Sequence, residues 1–445
     1  MKQLFANKYL WILVIIFGLN IPLAMIEGQI EDRTQQRNVA KNSVRQSWTG
    51  EQDVFAGVMV IPYQKKVIVN KGSNAKNVEQ LEIKWIDSRQ YILADSITVQ
   101  SRLKSQKLAK GIYRVPVYTA DINIAGRFDL SQYAKLKADE SVVFKRQPFI
   151  ALGVNDSRGL LGVPKVLVGE SALKVEPGTG LEFYASGFNA HLDDSLIQGK
   201  QFSFSAEMQL NGMEALSYLT AAKESSVSVS SDWPHPEFFG AFLPVKRTIS
   251  DQGFSASWQT SLFATSIGST LQQCFANDCR NLKNSLLGVR HIQPVDIYLK
   301  SLRSIKYGFL VILVTFCVFA LYELLSRQIA IHPISYLLTG SALAIFFLLL
   351  IALSEHWSFG FAYWLASLSC SSLIAFYVAS QSGSKSYGAY IMAILNSLYT
   401  ILYFIIRSED HALLSGTLLL FFILATIMTV TRKLDWYQVM SRKHE

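Results

Sequence analysis

The chain has 445 residues, of which 50% are hydrophobic, and its mean hydropathy of +0.24 is high for a soluble globular chain of that length. Its formal net charge is +9, yet residues 27–300 hold 31 basic against 27 acidic side chains. A nucleic-acid partner is therefore poorly supported, since such binding needs a basic surface gathered in one place, and the apolar excess sits in residues 9–26 and 307–430.

In chain order, the first element is the apolar run Tyr9 to Ile26, close to the roughly 20 residues that cross a hydrocarbon core of about 30 Å. Lys2 and Lys8 precede it as in a signal peptide. No small-x-small cleavage site follows, however, and Asn20, Pro22 and Glu27 mark its end, so it reads as an uncleaved signal anchor. Residues 29–48 are polar, with Ile30, Val39, Val44 and Trp48 spaced through them, and predict a short stalk helix.

From Phe55 the pattern changes to period two. Leu81, Ile83 and Trp85 alternate with Glu82 and Lys84, and Tyr113, Val115 and Val117 alternate around Arg114 and Pro116. Phe202, Phe204, Ala206, Met208 and Leu210 alternate with polar neighbours and run into Asn211-Gly212, a favoured hairpin turn. Val227 with Val229, and Phe254, Ala256 and Trp258, continue the habit. The expectation is a large, mainly antiparallel β domain with one buried face per sheet. The glycine-rich strings Gly153 to Gly159 and Glu176-Pro177-Gly178-Thr179-Gly180 read as turns, because the second lacks the Lys and Ser/Thr of a phosphate loop.

The most distinctive string is Ser231-Asp232-Trp233-Pro234-His235-Pro236-Glu237-Phe238-Phe239-Gly240, continued by Ala241-Phe242-Leu243-Pro244. Three prolines and four large aromatics make a stiff, extended loop, which either packs as a unit or displays an aromatic surface with Trp233, His235, Phe238, Phe239 and Phe242 as its binding residues. A metal at His235 has no second His or Cys at ligand spacing, and neither a metal nor any other cofactor is expected. No nucleophile elbow and no HExxH pair are present, and Asp193-Asp194 reads as a solvated loop. The sequence thus points away from an enzyme. Cys274 and Cys279 fall in a segment that would face an oxidising compartment, as a short-loop disulfide or as two unpaired thiols.

Five further apolar runs follow: Tyr307 to Leu325, Ile334 to Leu353, Ser358 to Ser380, Tyr387 to Ile406 and Ala412 to Val430. With the first run they predict six transmembrane helices. Placing the N-terminus inside puts Lys2, Lys8, Arg327, Lys385, Arg432, Lys433, Arg442 and Lys443 in the cytoplasm, whereas the opposite short loops hold Glu355, His356, Arg407, Glu409, Asp410 and His411. The predicted division is 1–26 for a cytoplasmic N-terminus and the first span, and 27–306 for a periplasmic β-rich domain with its stalk. Spans two to six then occupy 307–430, and 431–445 form a cytoplasmic tail. Ionisable groups inside a membrane are costly, and here Glu323, Glu355 and His356 lie toward span ends, leaving the midplanes nearly bare. They form a possible membrane polar site, with interface anchoring beside Trp357 as the plainer role.

The order of parts, together with Ser231 to Phe239, Leu243-Pro244, Glu176 to Glu182, His332-Pro333, Tyr336-Leu337-Leu338, Ala352-Leu353-Ser354-Glu355-His356 and Asp435-Trp436-Tyr437, resembles the CreD family of inner-membrane proteins over essentially the whole chain. The resemblance implies a cell-envelope integrity protein of Gram-negative bacteria, associated with Cre-type two-component regulation, colicin tolerance and β-lactam response. It supplies no catalytic residues. The expected partners are the lipid bilayer and an envelope protein or glycan, with a transporter or flippase of a lipid or envelope precursor as the rival reading.

Overall fold

The computed structural model describes residues 2–73, 79–197, 199–275, 278–292, 297–326, 331–408 and 412–432. Arg327, Glu409, Asp410, His411, Lys433, Asp435, Trp436, Tyr437, Arg442 and Lys443 lie outside the described residues. The chain divides into two compact units, Val39–Pro294 and a second made of Met1–Asn38 with Val295–Glu445.

Helix α1 (Lys2–Gly18) leads almost directly into α2 (Asn20–Ser47), so the expected stalk is the polar end of one long helical segment. The last turns of α2 belong to the β unit. Val44 is buried there with Val115, Val117 and Met213, Trp48 packs against them, and Lys41 forms an ion pair with Glu214.

The strands of that unit are β1 (Gln52–Ser73), β2 (Glu79–Ile92), β3 (Ala94–Lys110), β4 (Tyr113–Asp129), β5 (Val142–Val143), β6 (Phe149–Val154), β7 (Leu160–Val168), β8 (Ser171–Ala172), β9 (Val175–Pro177), β10 (Gly187–His191), β11 (Gln201–Met213), β12 (Ala215–Thr220), β13 (Ala222–Ser231), β14 (Pro236–Gly240), β15 (Lys246–Ser250), β16 (Gly253–Ser261) and β17 (Leu287–His291). Helix α3 (Ser131–Lys137) follows β4, and α4 (Leu262–Thr265) and α5 (Ile267–Phe275) follow β16. Two sheets result among the described residues. Sheet A runs β14-β17-β12-β1-β6-β10-β9, with β2 and β5 also on β1, and sheet B runs β15-β16-β13-β3-β4-β11-β7-β8.

The sheets pack face to face over one core that includes Val54, Met59, Tyr118, Phe128, Phe204, Tyr218 and Trp258. The other face of sheet A is covered too: Phe55, Val58, Val60 and Leu219 meet Ile267 and Leu271 of α5 and Leu282 beyond it. Strand β1 serves both cores through a bulge. Val54 and Ala56 face sheet B before Gly57, Met59 and Ile61 after it, and the register with β6 shifts between Phe55 and Val58. Gly57 sits at φ 71°, where a side chain is strained, so the parity switch rests on that glycine.

Two expectations about the sheets are corrected. Asn211-Gly212 is not a turn: β11 runs through it, pairing Asn211 with Thr119 and Gly212 with Tyr118. A Cβ at Gly212 would stand 2.2 Å from the Tyr118 hydroxyl, so the glycine makes room for a ring rather than for a hairpin. The chain turns instead at Glu214 (φ 64°) and passes into sheet A, where β12 lies parallel to β1, while β13 lies parallel to β3 in sheet B. The sheets are therefore mixed, each with one parallel pairing among the described strands, and otherwise antiparallel as expected. The rule of one buried face also fails locally, since Ile83, Trp85 and Ile86 of β2 are exposed.

The membrane unit continues with α6 (Ile297–Lys306), α7 (Gly308–Ser326), α8 (Pro333–Ser354), α9 (Phe359–Ser382), α10 (Lys385–Arg407) and α11 (Ala412–Thr431). Caps set several boundaries: His332 Nδ1 accepts from Ile334 N ahead of Pro333, and Gly383 closes α9 in the left-handed conformation. The expected count of six spans is corrected to about five. Among the described residues, Leu10–Ser47, α8, α9 and α10 are long and apolar enough to cross, and α6 with α7, bent by 41°, can supply one more. The apolar stretch of α11, Leu414–Thr429, is about 24 Å long at about 1.5 Å per residue, short of a core of about 30 Å.

Candidate binding face of the β domain

Successive side chains of a strand point to opposite sides of its sheet. In sheet B, Val99, Leu103, Ile122, Ile124, Ala206, Met208, Val227, Val229, Phe254, Ala256 and Trp258 point inward and are buried. Their outward neighbours are polar, and register sets them in two rows across six strands. One row reads Lys246, Ser257, Ser228, Gln100, Asn123 and Glu207. The other, two residues along, reads Thr248, Ser255, Ser230, Arg102, Asp121 and Gln209. With strands about 4.8 Å apart, each row is roughly 24 Å long, and the rows are separated by roughly 7 Å.

Relief comes from side-chain length. Four serines form the floor over β13 and β16, and longer residues rise on either side, leaving a trough of about 680 Å³. Asp121 is already engaged, accepting from Gln209 Nε2 at 2.7 Å with Lys104 Nζ at 4.0 Å, and Ser230 donates to the Ser101 carbonyl at 3.4 Å. The side chains of Gln100, Arg102, Asn123 and Lys246 have no hydrogen bond or ion pair among the described residues. The trough can therefore offer the cations Arg102 and Lys246 and several neutral donors and acceptors to a ligand.

The aromatic loop lies elsewhere and is mostly packed, which corrects its reading as a displayed surface. Trp233 is buried, stacked on His291 with ring centroids 5.5 Å apart, and donates Nε1–H to the Ile292 carbonyl. Phe238 meets Phe254 and Trp258 edge-on, and Phe239 lies under the Arg290 guanidinium. Phe242 packs against the core, its carbonyl accepting from Trp258 Nε1 at 3.0 Å. Only His235 of the five is classed as exposed. Rings of this size gain more from burial than a short loop can forgo.

That packing does bring a serine and a histidine together. Ser231 Oγ lies 3.2 Å from His291 Nε2. Hydrolase use would need a carboxylate on Nδ1 to orient the ring, but His291 Nδ1 is buried without a partner among the described residues, and Asp232 instead accepts from the Ser105 amide. Burial lowers the His291 pKa to about 4, with the Asp232 charge opposing the shift, so the imidazole is neutral near pH 7. Cys274 and Cys279 are joined as a disulfide with Cα atoms 4.3 Å apart, tying the end of α5 to the segment that carries Leu282.

In the membrane unit, Glu323 is paired with Lys8, and both side chains are largely buried. Glu355 accepts from the Tyr298 hydroxyl at 3.2 Å and lies 3.5 Å from Arg33 Nε, while His356 and Trp357 are exposed. These groups form two separate ion pairs rather than one site.

The trough was missed because period-two reading attends to the apolar half of each alternation. The polar half was visible as Ser228 with Ser230 and Ser255 with Ser257. What brings those serines beside Gln100 and Arg102 is the parallel pairing of β3 with β13, which local pattern does not encode.

A family model described as "Inner membrane protein CreD" matches residues 4–437. The inner membrane protein CreD of Escherichia coli (strain K12) is 33% identical over 447 residues, an alignment that covers 96% of this chain and 93% of that protein. With a match of that extent and an architecture of apolar helices around an inserted β unit, this chain belongs to the CreD family of inner-membrane proteins.

Proposed function

We propose that this multi-pass inner-membrane protein holds its β domain on the periplasmic side and maintains the envelope without catalysis, by binding an envelope component through the outer face of sheet B. The observation that carries the reading is the pair of polar rows with unengaged Arg102 and Lys246 at a trough of about 680 Å³. Pockets of this size suit specific ligands.

Orientation is supported by two ion pairs in the membrane unit. Lys8 with Glu323, and Arg33 with Glu355, each join residues that the distribution of basic loops assigns to one side, the first inner and the second outer. The non-enzymatic reading is supported by the buried, carboxylate-free His291 Nδ1. Envelope integrity is what the family resemblance implies. Transport draws no support from the cavity lined by Phe319, Ile331, Ser335, Val378, Gln381, Ser382 and Tyr387, whose roughly 20 Å³ holds about one water.

The test is in-cell photocrosslinking from position 257 in the trough, with position 163 on exposed β7 as the control. An adduct specific to position 257 is expected. No adduct there, or the same adduct from both positions, defeats the reading.

A further inference from the structure

We infer that the sheet B trough takes a linear acidic glycan, a chain of sugar rings carrying carboxylates. This rests on the proposal that the outer face of sheet B is the binding surface, and it names the class of ligand. The floor and walls offer hydroxyls and amides from Ser228, Ser230, Ser255, Ser257, Gln100 and Asn123. Sugar hydroxyls donate and accept at once, and these side chains do the same. A protein partner would want something different. Its binding energy would centre on large side chains seated in apolar pockets, and the only apolar residues of the lining, Val229 and Ala256, point inward and are buried. Strand addition is closed over the floor, because β3, β4, β13 and β16 are paired on both sides, and the free edge of sheet B here, the outer side of β15, lies at the rim.

Charge supplies the acidic part. Arg102 stands in the middle of its row and Lys246 at the end of the other, three strand spacings across and one row along, or about 16 Å apart. Neither has an anion of its own, whereas the nearby Asp121 is held by Gln209 and Lys104. Two separated cations over a hydroxyl-rich floor match repeated carboxylates along a polymer better than one compact anion, and Arg102 can take a carboxylate with two parallel hydrogen bonds. A trough roughly 24 Å long accommodates several linked rings.

The test uses the full chain in detergent, titrated calorimetrically with a linear uronic-acid hexasaccharide, its carboxyl-reduced neutral counterpart and hexaglutamate. The uronate should bind at least about tenfold more tightly than either of the others, and Arg102→Gln or Lys246→Gln should each weaken it on the order of tenfold or more. Arg102→Lys should recover part of the loss, and Lys137→Gln, away from the trough, should change nothing. Equal binding of hexaglutamate means that charge alone is read and overturns the glycan assignment. Absence of uronate binding, with position 257 still capturing a protein in cells, overturns the assignment while leaving the binding face intact. Loss of capture at position 257 defeats both.

Discussion

Replacing His291 with Phe should remove most of the acid sensitivity of the β domain between pH 6.5 and 4. Burial brings the imidazole pKa from an ordinary 6.5 down to about 4, so protonation is disfavoured in the folded state. The folded chain binds fewer protons than the unfolded chain inside that window, and stability falls as pH drops through it. A displacement of that size corresponds to about 3 kcal/mol, fully present above pH 6.5 and lost by about pH 4. Among the carboxylates with lowered values, Asp129, Asp139, Asp156 and Asp278 start from an ordinary 3.8 and act later, and Glu176, which starts from 4.5, enters only at the foot of the window. The variant keeps a ring against Trp233 and Tyr118 but gives up the contact with Ser231, at about 1 kcal/mol near neutral pH. Urea unfolding of the full chain in detergent, followed by tryptophan fluorescence at pH 7.5, 6, 5 and 4, measures both effects. A slope of about 2–3 kcal/mol/M turns the expected loss into a midpoint shift on the order of 1 M for the parent chain and little for the variant. Parallel declines in both chains, or a flat parent, would refute the reasoning.

Gly212→Ala should destabilise the β domain by about 2–3 kcal/mol, because the new Cβ meets the Tyr118 hydroxyl and breaks its bond to the Ala215 carbonyl. The same urea curve reads it, and an unchanged midpoint contradicts the close-approach role. Lys8→Ala or Glu323→Ala should each cost about 3–5 kcal/mol by leaving one buried charge alone, whereas Lys8→Met with Glu323→Leu should restore the thermal midpoint in detergent. Equal losses in the single and double variants would show that the charges are not paired. Removing the disulfide with Cys274→Ser and Cys279→Ser should lower local stability by about 2 kcal/mol, seen as faster amide exchange at Leu271 and Leu282, and reductant should leave this variant unaffected.

Much of this was legible in the residues and part of it was not, for reasons that can be named. The apolar runs marked the helices because a membrane demands length and composition, both local properties. Counting them as spans went too far at Ala412–Thr431, where the described apolar stretch is short, whereas α7 crosses only if it is taken together with α6, against which it bends. Alternation correctly exposed the buried side of β11, since Phe202 to Leu210 needs only its own period. It could not show that Asn211-Gly212 continues the strand, because the cause is a tyrosine ring on β4 more than 90 positions earlier in the chain. Nor could it reveal the parity switch at Gly57, which places even-numbered residues on one side of β1 and odd-numbered ones after it. The aromatic string was conspicuous in composition and turned out to be packing, while the serines of the trough were plain in composition and became a surface only through non-local strand pairing.

Binding of an envelope component through sheet B requires that its polar face meet the periplasm. Ser257→Cys, treated in whole cells with a membrane-impermeant maleimide after outer-membrane permeabilisation, tests this most directly, since Ser257 lies in the trough lining and is partly accessible. Labelling in intact spheroplasts at the level seen after lysis is the predicted result. Labelling only after lysis would place the β domain in the cytoplasm and contradict the account.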